Sequence, residues 1–335
     1  MPKRVLTGIK PTGKPHLGNY VGAIRPALRA AQGVDIESYL FIADYQAVTG
    51  LWDRDLLQEL TYDVAATWLA FGLDPEKTVF YRQSDIPEIF EIQWILSCMA
   101  SKGLMNRAHA YKAAVDRNRE EGTRDDDYGV NTGLFMYPVL MAADILCVNA
   151  DVVPVGKDQV QHVEIARDIA GRFNSTFRPV FKLPNFQLDK EPDVIHGLDG
   201  RKMSKSYDNT IPLFVESKKL RKLVNKIKTS TKEPEDPFPP DDCNLFSIYK
   251  HFADDDEKAT MRAAYEKGIG WGDAKAQLFE KLDAILTEPR ERYKDLMSRK
   301  TDIDEILLAG ATRARKDCRE LLDQLRDAMG IGSLK

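Results

Sequence analysis

Three stretches of this 335-residue chain carry residue types and spacings that could do chemistry. The first is "GIKPTGKPHLGNY" (8–20), in which Gly8 and Gly13 allow close backbone approach and His16, Gly18 and Asn19 stand where a helix begins. Unpaired N–H groups and a partial positive charge make a helix N-terminus the place for an ATP or dinucleotide phosphate. The spacing is not the G-x-G-x-x-G of an NAD site. By itself H-x-G-N reads as a tight turn with Asn19 near a helix cap, and that reading outweighs the phosphate one. The second stretch is "HGLDGRKMSKSYDN" (196–209), which gathers Arg201, Lys202 and Lys205 in a segment too polar for core and too glycine-broken for ordinary helix. Alone it is a generic basic loop. The third is "YPVLMAADIL" (137–146), where Asp144 lies among Leu140, Ile145 and Leu146. A carboxylate in such company is costly unless something donates to it.

The elements that must position these residues follow from periodicity. Short β-branched or aromatic runs ("RVLTGI", "YLFIAD", "TVFYRQ") alternate with helical patterns over 18–32, 54–71 and 87–101. Within the second helix, Leu57, Leu60, Val64 and Trp68 recur at helical spacing before Gly72 supplies a stop. A helix over 134–149, the strand "DVVPVG" and a helix over 158–173 continue the rhythm. Strand, helix, strand in this order predicts a Rossmann-like, doubly wound parallel sheet of the α/β class. Asp158 and Gln161 have the spacing of a capping box at the last helix's start. Residues 116–130, "DRNREEGTRDDDYGV", predict a mobile surface loop, and 175–200 predict connecting segments. From 213 to 300 helical patterns dominate, and 302–330 form another long helix ending near Gly330.

Composition bounds the function. The chain balances 48 Lys and Arg against 52 Asp and Glu, which excludes a coat of basic charge for nonspecific nucleic-acid or membrane binding. Cys98, Cys147, Cys243 and Cys318 lie far apart, with no pairing that indicates zinc or a disulfide framework. No apolar run reaches membrane-spanning length and the N-terminus lacks a signal-peptide core, so the reading is a soluble cytoplasmic protein.

H-x-G-N after the first strand together with KMSKS (202–206) after the sheet resembles the class I aminoacyl-tRNA synthetases. The stretch 133–173, above all "YPVLMAADIL" and "VPVG-DQ-QH-E", is similar to bacterial tryptophanyl-tRNA synthetases, and the resemblance extends over essentially the whole chain. It implies a catalytic domain over 1–210 with its two signatures at 15–19 and 202–206. It further implies an α-helical anticodon-binding domain over 211–300, and a C-terminal helix (301–335) packing back toward the catalytic domain. Tryptophan and ATP would give tryptophanyl-AMP, and the acyl group would pass to tRNA(Trp).

By the same resemblance, Lys202, Lys205, Ser204, His16 and Asn19 are catalytic. ATP is met by Lys10, Pro11, Thr12, Gly18, Asn19, Gly156, Lys157, Asp158, Val194, Lys202, Met203, Ser204, Lys205 and Ser206. Tryptophan is met by Asp144, which would accept the indole N–H, with Met141, Tyr137, Gln159, Gly8, Gln46, Val153 and Val155. Tyr137 and Gln159 would hold the ammonium, while His162 and Glu164 orient their helix. Mg²⁺ would be carried by ATP, with no protein metal site, iron–sulfur cluster or zinc. The family is dimeric, which implies a homodimer.

The chain departs from the family pattern at Lys10 (where many members have Gln), at Gln46 (where many have His), and in the charged segment 116–130. The last leaves Lys112 as the candidate phosphate contact before that segment. In "SKKLRKLVNKIK" (217–228), Lys218, Lys222 and Lys226 form a stripe opposite Leu220, Val224 and Ile227, a solvated helix face that the resemblance would turn toward RNA. Rival readings are a tyrosyl-tRNA synthetase, a non-charging paralogue that binds tryptophan or tRNA, and a simple HxGH nucleotidyltransferase.

Overall fold

The computed structural model describes residues 2–188, 195–229, 236 and 238–332. Five parallel strands, β1 (Lys3–Ile9), β2 (Ile36–Ile42), β3 (Thr78–Arg82), β4 (Val152–Val155) and β5 (Asn185–Leu188), form one sheet in the order β3-β2-β1-β4-β5. Strands covered on both faces read as continuous apolar runs, and Tyr39 through Ala43 are all buried. The chain steps outward from β1 to β2 and β3, then resumes on the other side of β1 with β4. In open sheets of this kind ligands bind outside the carboxyl ends of the strands, where the strand order reverses. Here that point lies between β1 and β4.

Alternate residues of each strand feed two cores. Tyr39, Phe41, Val79 and Tyr81 join Val153 and Val155 on one face, against the helices Glu88–Met99, Thr132–Cys147 and Val160–Thr176. Leu40, Ile42 and Phe80 on the other face meet the helices Arg54–Ala70, Ser217–Asn225 and Trp271–Ser298. The helix Lys300–Met329 belongs to both: Ile303 and Leu307 enter the second core, Ala311 to Leu325 the first. It crosses the edge strand β3 at Gly310, where a β-carbon would stand 1.8 Å from the Phe80 carbonyl oxygen. Covering an edge strand in this way also blunts it against pairing with other chains. Gly310→Ala forces helix and strand apart and is expected to cost about 1–3 kcal/mol, read as a lowered denaturant midpoint at unchanged activity per folded molecule.

Three expectations from sequence need correction. Residues 185–188 are a strand, not connection: β5 pairs with β4 from Asn185 opposite Val152 to Leu188 opposite Val155. All four of its residues are exposed, so no burial pattern marked it. The charged segment 116–130 is only partly a loop. Residues up to Glu120 continue the helix His109–Glu120, and the turn beyond is tied down. Asn118 donates to the carbonyls of Asp126 and Tyr128, Arg119 pairs with Asp126, and Tyr111 donates to Asp127. Finally, the basic helix ends at Asn225, so Lys226 is its C-cap while Leu220 and Val224 are buried.

Candidate active site

The turn after β1 carries Pro11 buried and Thr12 exposed, and enters a helix at His16. The Asn19 side chain accepts from the His16 backbone N–H at 3.1 Å, which squares the helix start. This turn is stitched to the chain after the KMSKS loop: Leu17 N–H donates to Ile211 and Leu213 N–H to Pro15. A π-helical stretch, Tyr20–Ile24, follows at once, a distortion that often accompanies functional sites. Burial, with the nearby Lys205 charge, lowers the His16 pKa to about 4, so the imidazole is neutral at physiological pH.

A cavity of about 420 Å³ opens here, lined by His16, Gly18, Asn19, Gly22 and Ala23 from the turn and helix, and by Ile195 and residues 202–205 from the loop. That is within the range of small-molecule sites. The Lys205 ammonium lies over Gly13, where a β-carbon would be 2.8 Å from Nζ; Gly13 has φ +139°, which also disfavours any other residue. The two signatures, with His16 and Lys205 189 positions apart in sequence, thus share one wall. Lys10 points elsewhere: its ammonium donates to Thr49 Oγ1 at 3.1 Å, on the loop that follows Gln46.

Within the loop, Asn209 is the organiser. Its side chain accepts from Ser204 N–H at 2.8 Å and donates to Asp199 and the Lys202 carbonyl. Hydrogen bonds from Asn209 and Arg201 hold the Asp199 carboxyl down to about 2. Gly197 is closely packed against Asn209: a β-carbon there would lie 2.3 Å from the Asn209 side chain. Met203 is buried in the second core, Ser204 and Ser206 share a hydroxyl contact at 2.8 Å, and Lys202, Lys205 and Ser206 are exposed. Val194 lies outside the described residues.

Asp144 is buried, and its donors come from the protein. Gln46 Nε2 donates to Oδ2 at 2.8 Å, and Gln83 Nε2 lies 2.8 Å from both oxygens. The Gln83 amide cannot flip without loss, because its oxygen accepts from Gln46 N–H. Asp44 in turn holds the next residue, accepting from the Ser84 N–H and hydroxyl. Burial pushes the Asp144 pKa up to about 8; the two amides oppose the rise and the Asp44 charge adds to it. Each carboxylate oxygen has two lone pairs, so a further donor can still be accepted. Gln83 was not picked out from sequence, although a glutamine directly after an apolar strand is a signal, because strand ends line the crevice.

Tyr137 and His162 form a second pair, Oη to Nε2 at 2.6 Å, across two helices. Burial, with the His109 charge, lowers the His162 pKa to about 4, and Asp158 opposes this. His162 Nε2 and the Tyr137 hydroxyl share this hydrogen bond, and among the described residues the His162 Nδ1 is buried without a partner. The expected capping box is absent. A 3₁₀ turn, Lys157–Gln159, precedes the helix Val160–Thr176, and Gln161 instead accepts from His109 N–H and donates to the Arg107 carbonyl. Gln159 donates to Asp158 at 2.8 Å, and Gly156 lies against the other Asp158 oxygen. Val153 and Val155 are core residues, Met141 is half-buried beside them, and exposed Gly8 abuts the Phe41 ring. Lys112 stands exposed on its helix, away from these contacts. Cys243 is buried with its thiol donating to the Tyr265 hydroxyl.

The family model for class I tRNA synthetases (W and Y) matches residues 1–287. The tryptophan–tRNA ligase of Neisseria meningitidis is 58% identical over 333 residues, covering 99% of each chain. The crystal structure of tryptophanyl-tRNA synthetase from Campylobacter jejuni complexed with ADP and tryptophan superposes with a TM-score of 0.89 at 42% identity, over 98% of this chain and 99% of that one. Tyrosyl-tRNA synthetase from Archaeoglobus fulgidus shares the fold at 18% identity and a TM-score of 0.62, over 87% of this chain and 90% of that one. The chain therefore belongs to the class I tRNA synthetases of the tryptophan and tyrosine family and, within it, to the tryptophan–tRNA ligases.

Proposed function

We propose that the chain joins tryptophan to tRNA(Trp), and that it activates the amino acid by positioning and charge neutralisation, without acid–base catalysis. The tryptophan carboxylate attacks the α-phosphorus of ATP and the bond to the bridging oxygen of the β-phosphate breaks, so pyrophosphate leaves and no proton moves. A terminal ribose hydroxyl of the tRNA then attacks the adenylate carbonyl, the bond from that carbon to the AMP oxygen breaks, and the hydroxyl proton passes to the departing AMP phosphate. The first step needs groups that stabilise charge spreading onto pyrophosphate. The observation that carries this reading is a single cavity walled by a neutral His16, a helix N-terminus, Lys202 and Lys205.

In this reading Lys202, Ser204, Lys205 and Ser206 clamp the phosphates, and His16, Gly18 and Asn19 meet them from the helix start. Lys10, Pro11 and Thr12 form the flanking turn, while Gly156, Lys157 and Asp158 border the ribose. Among the described residues no carboxylate lines the cavity, so these walls do not fit a protein-held Mg²⁺, and the ion enters as the counter-ion of ATP. Asp144, oriented by Gln46 and Gln83, accepts the indole N–H, and Tyr137 with Gln159 receives the ammonium.

Residues 211–300 form the tRNA-reading unit in this proposal, with the Lys218 and Lys222 face toward RNA phosphates. The homodimer contact falls on Phe90 and Trp94, one helical turn apart and 38% and 71% exposed. A monomer by light scattering at micromolar concentration would count against that contact. The deciding experiment for the activity is parallel charging of tRNA(Trp) and tRNA(Tyr), each with its cognate amino acid. Tryptophan is charged and tyrosine is not; tight tryptophan binding without charging would overturn the reading.

A further inference from the structure

The two glutamines that hold Asp144 both lie past the last paired residues of their strands. The β2–β3 ladder stops at Ile42 opposite Arg82. Gln46 stands beyond it on the short helix Asp44–Ala47, and Gln83 on the 3₁₀ turn Gln83–Asp85. Neither glutamine is part of the ladder, so where their amides point depends on how the two turns are joined.

A single carboxylate joins them. Asp44 Oδ1 accepts from the Tyr45 N–H at 3.0 Å within its own turn, and from the Ser84 N–H at 3.1 Å across to the other. Its Oδ2 accepts the Ser84 hydroxyl at 2.5 Å. Hydrogen bonds to an ionised carboxylate are about twice as strong as neutral ones. The direct link between the glutamines, Gln46 N–H to Gln83 Oε1, is longer at 3.3 Å. The second turn is braced at its far end, where Arg82 donates to both oxygens of Asp85 at 2.8 and 2.9 Å.

We propose that Asp44 is a positioning residue for tryptophan specificity: with Ser84 it locks the turns after β2 and β3 together and so keeps both glutamine amides on Asp144. The carboxylate then presents its remaining lone pairs to the indole N–H in one fixed direction. Asp44 acts through Gln46 and Gln83 and does not touch the substrate. This rests on the reading that Asp144 accepts the indole N–H. A buried acceptor rejects an analogue that lacks the matching donor, provided that the acceptor is held in place.

The test is pyrophosphate exchange by the full chain with tryptophan and with β-(3-benzothienyl)alanine, in which sulfur replaces the indole N–H. Asp44→Ala raises the tryptophan KM about tenfold with kcat within about threefold, and changes the KM of the analogue and of ATP by less than about twofold. Ser84→Ala keeps the backbone N–H of the clamp and raises the tryptophan KM about threefold. In an Asp144→Ala background neither change raises the tryptophan KM further, because residues that act through one another do not add. General loosening of the site would instead raise the KM for both amino acids alike.

A tryptophan KM unchanged in Asp44→Ala, an equal rise for the analogue, or full additivity with Asp144→Ala would overturn the proposal. If Asp44→Ala does not fold, Ser84→Ala with an undiminished preference for tryptophan over the analogue overturns it equally. Asp144→Ala with no change in tryptophan KM would overturn the underlying reading of the indole site.

Discussion

Replacing Asp144 by alanine raises the tryptophan KM about 100-fold in tryptophan-dependent pyrophosphate exchange, about 3 kcal/mol, while kcat falls by less than about threefold. The loss has two parts. The indole N–H loses its acceptor, and the Gln46 and Gln83 amides, aimed at Asp144 from 2.8 Å, are left without one. A buried donor without a partner costs about 1–3 kcal/mol. Because the indole is held alike before and during adenylation, the deficit appears in KM. The carboxyl supplies a second signature. Its pKa stands at about 8, and an indole N–H donor favours the ionised form, so binding lowers that pKa and releases protons. Tryptophan affinity therefore rises with pH toward 8 and then levels, a dependence absent in Asp144→Asn. An unchanged tryptophan KM in Asp144→Ala would remove Asp144 from the indole site.

Lys205→Ala has the opposite profile. The kcat of exchange falls about 10²- to 10³-fold while the tryptophan KM stays within about twofold, because the ammonium acts on charge that develops only as pyrophosphate departs. The geometry supports this division of labour. Lys205 shares the cavity with His16 and lies over Gly13, whereas Asp144 is held by glutamines from the ends of β2 and β3. Equal losses in kcat and in tryptophan affinity would show that the loop is not a transition-state element.

Much of the scaffold was legible in the sequence because its signals are local. The runs of β1 to β4 announce themselves as short apolar stretches, and the helix of Leu57, Leu60, Val64 and Trp68 through apolar residues that recur every three to four positions. β5 has no buried face and becomes a strand only by pairing with β4. The turn after Glu120 is charged like a mobile loop, and it is tied down by Asn118, Arg119 and Tyr111 reaching across it. The Asp158 and Gln161 spacing fits a capping box, yet Gln161 meets the Arg107 and His109 backbone more than 50 residues away, and the helix starts without it.

The candidate site divides along the same line. From sequence alone came the paired signatures around His16 and Lys205, and the carboxylate Asp144 in need of a donor, because these depend on residue type and short spacing. What each group faces was decided by the fold. Gln83 meets Asp144 across 61 residues, Tyr137 meets His162 across 25, and Asp44 meets Ser84 across 40. Those contacts arise only once parallel strands bring their carboxyl ends to one crevice. Short-range pattern specifies which residues can do the chemistry; long-range packing sets their partners, and through burial and neighbouring charge their protonation.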